Sequence, residues 1–486
     1  MSFTELIFIP FFLITVVLYY AIPSKYRYLV ILCASYIFYG LNDFKLLAIL
    51  VLVTGITYIG GRVLNCHKKK SLFRLFFWVN LGFLFVLKYT NFTLEWLDFF
   101  AVKMGSAFFS GKKLDLIAPI GLSFYVFQST NYLNDVYRKG FEAERNPFRY
   151  AAYVSFFPTI LSGPIQRSRE LLPQLKTPAA FDAKGFIRAF LLFLWGYLEK
   201  NFVSSKLKLI VDTCWSDWST HGGVYPIIAA IAFSLYIYSD FSAYSDMACG
   251  VARMLGFKVR NNFKNPYQAT SLTKFWNCWH MTLNDWFIEN VYIPLGGNRK
   301  GKVRKYINVM VVFLLSGAWH GAEMHFIVWG GLNGLLQIVG QLSAPLKQKL
   351  YTIAKVNDNC FSIRMIKRIC VFFIITITWV FFRAPKTDMA LSVIESLFSV
   401  RPIDFFNPDV FSICGTVTKT FLCIIATAIF LVVQNYRKEA SKYYLAFRSQ
   451  PVFFQMLFAG FMILVIIMAS VSGNADINTQ FIYFQF

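Results

Sequence analysis

The sequence predicts an all-α protein that crosses a membrane many times, and three observations carry that prediction. Its 486 residues are 57% hydrophobic and 19% aromatic with only 15% charged, apolar runs recur from end to end, and the charges fall between the runs. Taken in order, uncharged apolar runs occupy residues 6–22, 28–42, 46–61, 75–87, 117–132, 189–197, 222–239, 306–319, 326–342, 370–382, 421–434 and 452–471. The shorter runs span only with interfacial residues added, which gives about eleven to twelve crossings. Glu5, rather than a basic stretch, precedes the first run and no small-residue cleavage signal follows it, so it is expected to stay as a helix.

The net charge of +23 sits almost wholly in loops. By the positive-inside rule the basic clusters at 25–27, 68–70, 138–139, 167–169, 253–264, 299–305, 347–368 and 437–448 are cytoplasmic, and both chain ends face outward. No basic soluble module presents this charge to a nucleic acid, so nucleic-acid binding is not expected. The nine cysteines are scattered without CxxC or metal-like spacing and read as small core hydrophobes. No internal repeat or linker divides the chain, which is expected to form a single membrane domain.

Two stretches break the crossing pattern. Residues 151–164 ("AAYVSFFPTILSGP") and 268–297 each lie between loops with the cytoplasmic signature, so each must dip in and return or lie along the interface. Irregular backbone survives at membrane depth only where protein or a water-filled cavity covers it. His280 lies 16 residues from Lys264, and His320 lies 15 residues from Lys305. At about 1.5 Å per helical residue, each climbs at most roughly 22–24 Å from its basic anchor, so the two histidines can meet at one depth. Pro266 makes this an upper bound for His280.

Four motifs could carry chemistry. In "FWNCWHMTLNDWF" (275–287), Trp276, His280 and Asn284 share one face if the stretch is helical; the alternative is an interfacial amphipathic helix with His280 bonded to a backbone carbonyl. In "LLSGAWHGAEMHFIVWG" (314–330), His320 ends a long apolar run, where an ionisable residue points to function. Held away from water, its imidazole is expected to stay neutral and to suit abstraction of a hydroxyl proton. His320 and His325 are five apart, about 140° around a helix at roughly 100° per residue, and "HGAEMH" is neither HExxH nor HxxEH, so no metal site is expected. Glu323 and His325 read as supporting or structural residues, and His67 and His221 as loop residues.

In "SLYIYSDFSAYSDMACG" (234–250), Asp240, Ser245 and Asp246 are embedded in or end a crossing. The two carboxylates need partners there, and are expected either to orient His320 or His280 or to bind loop amides and arginines at the cytoplasmic mouth. The chain end, "TQFIYFQF", carries one hydroxyl, Tyr483, among aromatics. It is either an aromatic belt anchor or a tail that plugs back into a cavity.

The stretch "FWNCWHMTLNDWF…YIPLGGNRKGKVRKYINVMVVFLLSGAWHG" resembles the membrane-bound O-acyltransferase family, in particular the bacterial branch that O-acetylates alginate and peptidoglycan. The resemblance extends through "PIGLSFYVFQSTNYLNDVYRKG", "FFPTILSGPIQR" and "YSDFSAYSDMACGVARMLGF" back to "LCASYIFYG". It implies a ring of helices around a funnel, with a catalytic core near residues 116–342 and a separate aromatic tail at 472–486. It places the family's near-universal histidine at His320 and its second polar position at His280. It further implies residence in a bacterial cytoplasmic membrane, acetyl-CoA as the acyl donor with no resident cofactor, and an extracytoplasmic acetyltransferase or polysaccharide as acceptor. The aromatic tail resembles one thought to relay the acyl group, which makes Tyr483 a candidate relay. Trp276, Asn284, Asp240, Asp246, Ser245, Tyr125 and Gln128 complete the expected substrate-binding set. Arg299, Lys300 and Lys302 of "RKGKVRK" are placed to attract the CoA phosphates. Asn277 and Cys278 stand where the family is usually basic, and Glu323, Met324 and His325 also depart from the branch, which touches acceptor choice more than reaction type. Two other readings remain: a D-alanyl transferase fed by a carrier-protein thioester, and a transporter with a histidine proton relay.

Overall fold

The computed structural model describes the chain except residues 42–43, 105–113, 115–118, 220–222, 359, 437–448, 452, 455, 458–459, 461–480 and 483–486. Among the described residues all regular structure is helical. The first group is α1 (Phe8–Ala21), α2 (Arg27–Gly40), α3 (Phe44–Cys66), α4 (Lys70–Lys103) and α5 (Leu122–Lys139). Then come the short α6 (Pro147–Val154) and α7 (Ser168–Lys176), followed by α8 (Ala183–Leu198) and α9 (Ser205–Ser216), which are joined by a widened turn at Glu199–Ser204. The long α10 (Val224–Met254) leads to two seven-residue helices, α11 (Leu272–Cys278) and α12 (Met281–Phe287). The remainder is α13 (Gly301–His320), α14 (Met324–Ile353), α15 (Phe361–Arg383), α16 (Thr387–Ser396), α17 (Pro408–Phe411) and α18 (Val417–Tyr436).

Each of the first eleven apolar runs falls on a helix, while most of 452–471 lies outside the described residues. Six helices, α3, α4, α10, α14, α15 and α18, are long and apolar enough to cross a membrane. They differ in what surrounds them. In α10, 78% of the most apolar stretch is buried inside the protein, against 17% in α4, so α10 is a central helix and α4 turns most of its surface to lipid. Every residue of α5 from 124 to 136 is also buried, although many are polar. Partners offset their desolvation: Asn80 of α4 donates to Val126 O (3.0 Å) and Thr130 Oγ1 (2.8 Å), and Asp135 accepts from Ser168 Oγ (2.8 Å).

The stretch expected to dip and return is irregular after Val154 and buried throughout 150–166. Its backbone amides find side chains from other elements: Phe157 N donates to Ser35 Oγ at 3.1 Å and Ile165 N to Thr282 Oγ1 at 3.0 Å. Non-helical backbone is thus covered by protein, as the bilayer demands. The basic loops around 139, 167 and 260 meet at one end of the molecule, where Lys139 and Arg167 both pair with Glu289 (2.7 and 2.6 Å) and Arg260 pairs with Asp285 (2.5 Å).

The α13–α14 hairpin positions the site. A three-residue turn joins the two helices, and they cross where Gly317 faces Gly330. A Cβ on Gly317 would lie 2.3 Å from Phe326 O, and one on Gly330 2.3 Å from Phe313 O. Only residues without a side chain permit this approach, the small-residue packing that bilayers favour.

Candidate active site

His280 occupies the break between α11 and α12. Ser271 caps α11 by accepting from Lys274 N (3.2 Å), α11 ends at Cys278, and His280 takes φ +41°, ψ +53° before α12 begins. The break is held from outside: Lys264 N donates to Cys278 O (3.0 Å), Met281 N to Asn262 O (2.9 Å), and Thr282 Oγ1 to Asn262 Oδ1 (2.6 Å). The condition set for a shared i, i+4, i+8 face, one helix through 276–284, is not met, because the left-handed residue interrupts it. Trp276 and Asn284 nevertheless stay together, with Asn284 Nδ2 donating to Trp276 O at 3.4 Å.

His320 is the last residue of α13, and Gly321 beyond it is extended. His280 and His320 are both buried, and they line one cavity of about 60 Å³ together with Trp276, Trp279, Asn284, Ser316 and Trp329. The wall is aromatic and the contacts are mostly edge to face. Phe241 lies 4.7 Å from the His280 ring, while Phe382 and Trp329 lie 4.9 and 5.3 Å from His320. Trp319 bridges the two imidazoles, with centroid distances of 6.0 Å to His280 and 4.6 Å to His320. Trp379 backs the wall, stacked on Trp329 at 5.4 Å. The two rings share this largely apolar pocket with the Asn284 amide and the Ser316 hydroxyl as its further polar groups.

The remaining sequence candidates lie elsewhere. Asp240 is bound by Lys200 (2.5 Å), Ser204 Oγ (2.6 Å) and the Ile482 amide (2.7 Å), so it anchors the chain end rather than an imidazole. Phe481, beside it, is buried against Tyr244 (4.9 Å) and beneath the Lys200 ammonium (4.2 Å). The tail at 481–482 therefore inserts into the helix bundle, while Tyr483 lies outside the described residues. Ser245 and Asp246 are buried on α10, outside the cavity wall. Tyr125 is buried beside Tyr39, their rings 6.3 Å apart. Gln128 ties α5 to the irregular segment by donating to Tyr153 O and accepting from Gln166 N. Arg299, Lys300 and Lys302 are exposed at the start of α13, the end opposite His320. His325 is fixed to Phe381 O at 3.0 Å through Nδ1, a structural bond, and Glu323 is exposed.

Sequence reasoning missed Lys88, Tyr89 and Ser316. Lys88 Nζ donates to Trp319 O (2.6 Å) and His320 O (3.0 Å), and Tyr89 Oη donates to Ala318 O. The signal was present as a lysine at the edge of an apolar run, a position read as the end of a span.

The sequence model of the MBOAT, membrane-bound O-acyltransferase family, matches residues 31–383, which include both histidines and every residue of the cavity wall. The chain belongs to the membrane-bound O-acyltransferase family. It is therefore a multi-pass membrane acyltransferase. Its relatives within the family include the probable alginate O-acetylase AlgI of Pseudomonas syringae pv. tomato, 32% identical over 90% of this chain and 82% of that protein. The peptidoglycan O-acetyltransferase of Helicobacter pylori is 28% identical over 79% of this chain and 76% of its own length. The teichoic acid D-alanyltransferase of Bacillus subtilis is 27% identical, over 46% of this chain and 58% of its own length. For this O-acyltransferase the cavity bearing His280 and His320 is the candidate site of acyl transfer.

Proposed function

We propose that this O-acyltransferase moves an acetyl group from cytosolic acetyl-CoA to a cell-envelope or exported polysaccharide, directly or through an extracytoplasmic acetyltransferase, in a bacterial cytoplasmic membrane with both chain ends outward. The observation that carries the reading is the meeting of His280 and His320 on one largely apolar cavity of about 60 Å³. A cavity of that size favours a small acyl group, with the acceptor hydroxyl as the group that reaches it. The alginate and peptidoglycan O-acetylation in its relatives' names supports a carbohydrate acceptor.

In this reading an acceptor hydroxyl oxygen attacks the thioester carbonyl carbon and His320 takes the hydroxyl proton. The C–S bond breaks, and the proton passes to the departing thiolate, leaving an ester and a free thiol. A positioned base contributes about 10²–10⁴-fold to such a step. His280 and Asn284, which line the same cavity, polarise the carbonyl oxygen in this reading. Arg299, Lys300 and Lys302 attract the donor's phosphates at the membrane surface, about 30 Å along α13 from His320. Tyr483, next to the docked Ile482, is the proposed acyl relay on the tail.

Membranes containing the protein, supplied with labelled acetyl-CoA, test this directly. Label is expected in envelope polymer, lost in His320→Ala and sharply reduced in Tyr483→Phe. Full transfer by His320→Ala removes the base assignment, and full transfer by Tyr483→Phe removes the relay. Label arriving only from carrier-bound D-alanine replaces acetyl-CoA with the donor of the D-alanyltransferase relative.

A further inference from the structure

We propose that Lys88, assisted by Tyr89, is a positioning residue for acyl transfer that fixes the end of α13 and so aims the His320 imidazole into the cavity. The proposal rests on the reading of His320 as the base. The last carbonyls of a helix have no partner within it, and inside a membrane no bulk water supplies one. At the end of α13 three successive carbonyls are satisfied by two adjacent side chains of α4. Tyr89 Oη donates to Ala318 O, and the Lys88 ammonium is shared between Trp319 O (2.6 Å) and His320 O (3.0 Å). A cation suits this place because the helix dipole is negative there.

The placement does more than cap a helix. The residue whose carbonyl Lys88 grips most closely is Trp319, whose ring contacts both imidazoles, and the ammonium also lies 6.0 Å from the centroid of that ring. Beyond His320 the chain turns extended at Gly321, whose amide closes the last turn on Gly317 O at 3.5 Å, and the next three carbonyls are the ones that Tyr89 and Lys88 hold. Lys88 itself is not among the residues lining the cavity, which makes its effect indirect. A cap serving stability alone would leave turnover per folded molecule unchanged. A cap that aims a base lowers turnover while leaving donor binding alone, since small displacements of a reacting group cost large factors in rate.

The test uses the full chain reconstituted in lipid vesicles, with labelled acetyl-CoA as donor and alginate or peptidoglycan fragments as acceptor. For Lys88→Met, kcat is expected to fall about 10–100-fold with KM for acetyl-CoA within about threefold of the parent, helical content being unchanged. Lys88→Arg, which keeps a cationic donor, is expected to recover most of the loss, and Tyr89→Phe to lower kcat several-fold. The clamp is overturned if folded Lys88→Met keeps the parent kcat, or if Lys88→Arg is as impaired as Lys88→Met. Should Lys88→Met not fold, an unchanged kcat in Tyr89→Phe overturns it instead. Full transfer by His320→Ala overturns the base assignment, a result distinct from the others because it appears with Lys88 intact.

Discussion

His280 holds its backbone at φ +41°, a left-handed region that residues other than glycine enter uncommonly, asparagine, aspartate and histidine more often than the rest, and that costs on the order of 1 kcal/mol. The surrounding loop meets that cost with the bonds from Asn262 and Lys264 described above. Strain and imidazole can be separated by substitution. His280→Gly relieves the backbone but empties a buried ring's place, so the variant is expected to melt below the parent and to transfer acetyl at least about 10²-fold more slowly. His280→Asn tolerates the same backbone, retains a hydrogen-bond donor, and is expected to fall between the two. Circular dichroism melts and the labelled-acetyl assay check both. This residue also shows what was readable beforehand. Trp276, His280 and Asn284 were singled out by helical spacing, and the structure brings them to one cavity although the helix breaks between them. Asp240 and Gln128 were equally polar and equally deep in sequence terms. Their partners, Lys200, Ser204, Tyr153 and Gln166, come from segments whose approach no local pattern announces.

At the scale of elements, the site depends on how closely α13 and α14 cross. Gly330→Ala places a carbon where Phe313 O leaves only 2.3 Å, so the helices must separate. Overpacking of this kind costs about 1–3 kcal/mol, and it also moves Ser316, Trp329 and His320, which line the cavity from these two helices. A lowered melting temperature together with a lowered kcat is the expected outcome, whereas Gly331→Ala, whose nearest neighbour is a leucine methyl at 3.5 Å, should leave both near the parent's values. Hydrophobic runs located these elements well, because a span must be apolar wherever it meets lipid. They misjudged the extent of α4. The run 75–87 stops at Lys88, since a charge ordinarily ends a span, yet the helix continues to Lys103. The carbonyls at the end of α13 make that lysine tolerable, and a contact between residues 231 and 232 positions apart leaves no periodic trace in the sequence.

Over the whole molecule, the bundle is organised around two buried helices, α5 and α10, and the most deeply buried ion pair among the described residues joins the second of them to the widened turn between α8 and α9. Lys200 and Asp240 are almost wholly enclosed, and Asp240 also receives the amide of Ile482. Breaking such a pair strands a charge, so Asp240→Leu is expected to cost about 3–5 kcal/mol, while Lys200→Met combined with Asp240→Leu should return much of that stability. Melts of the two variants in detergent decide the matter; equal melting temperatures for the single and double changes would show that the charges matter little to the fold. The tail's insertion at Phe481 and Ile482 had no counterpart in hydropathy, because an aromatic strip at a chain end reads equally as an interfacial anchor. The aromatic wall has a practical corollary. Trp276, Trp279, Trp319, Trp329 and Trp379 make up five of the chain's eleven indoles, and all five cluster at the cavity. Intrinsic fluorescence of this protein therefore draws heavily on the candidate cavity, and entry of the proposed thioester donor should register as an optical change without any attached dye.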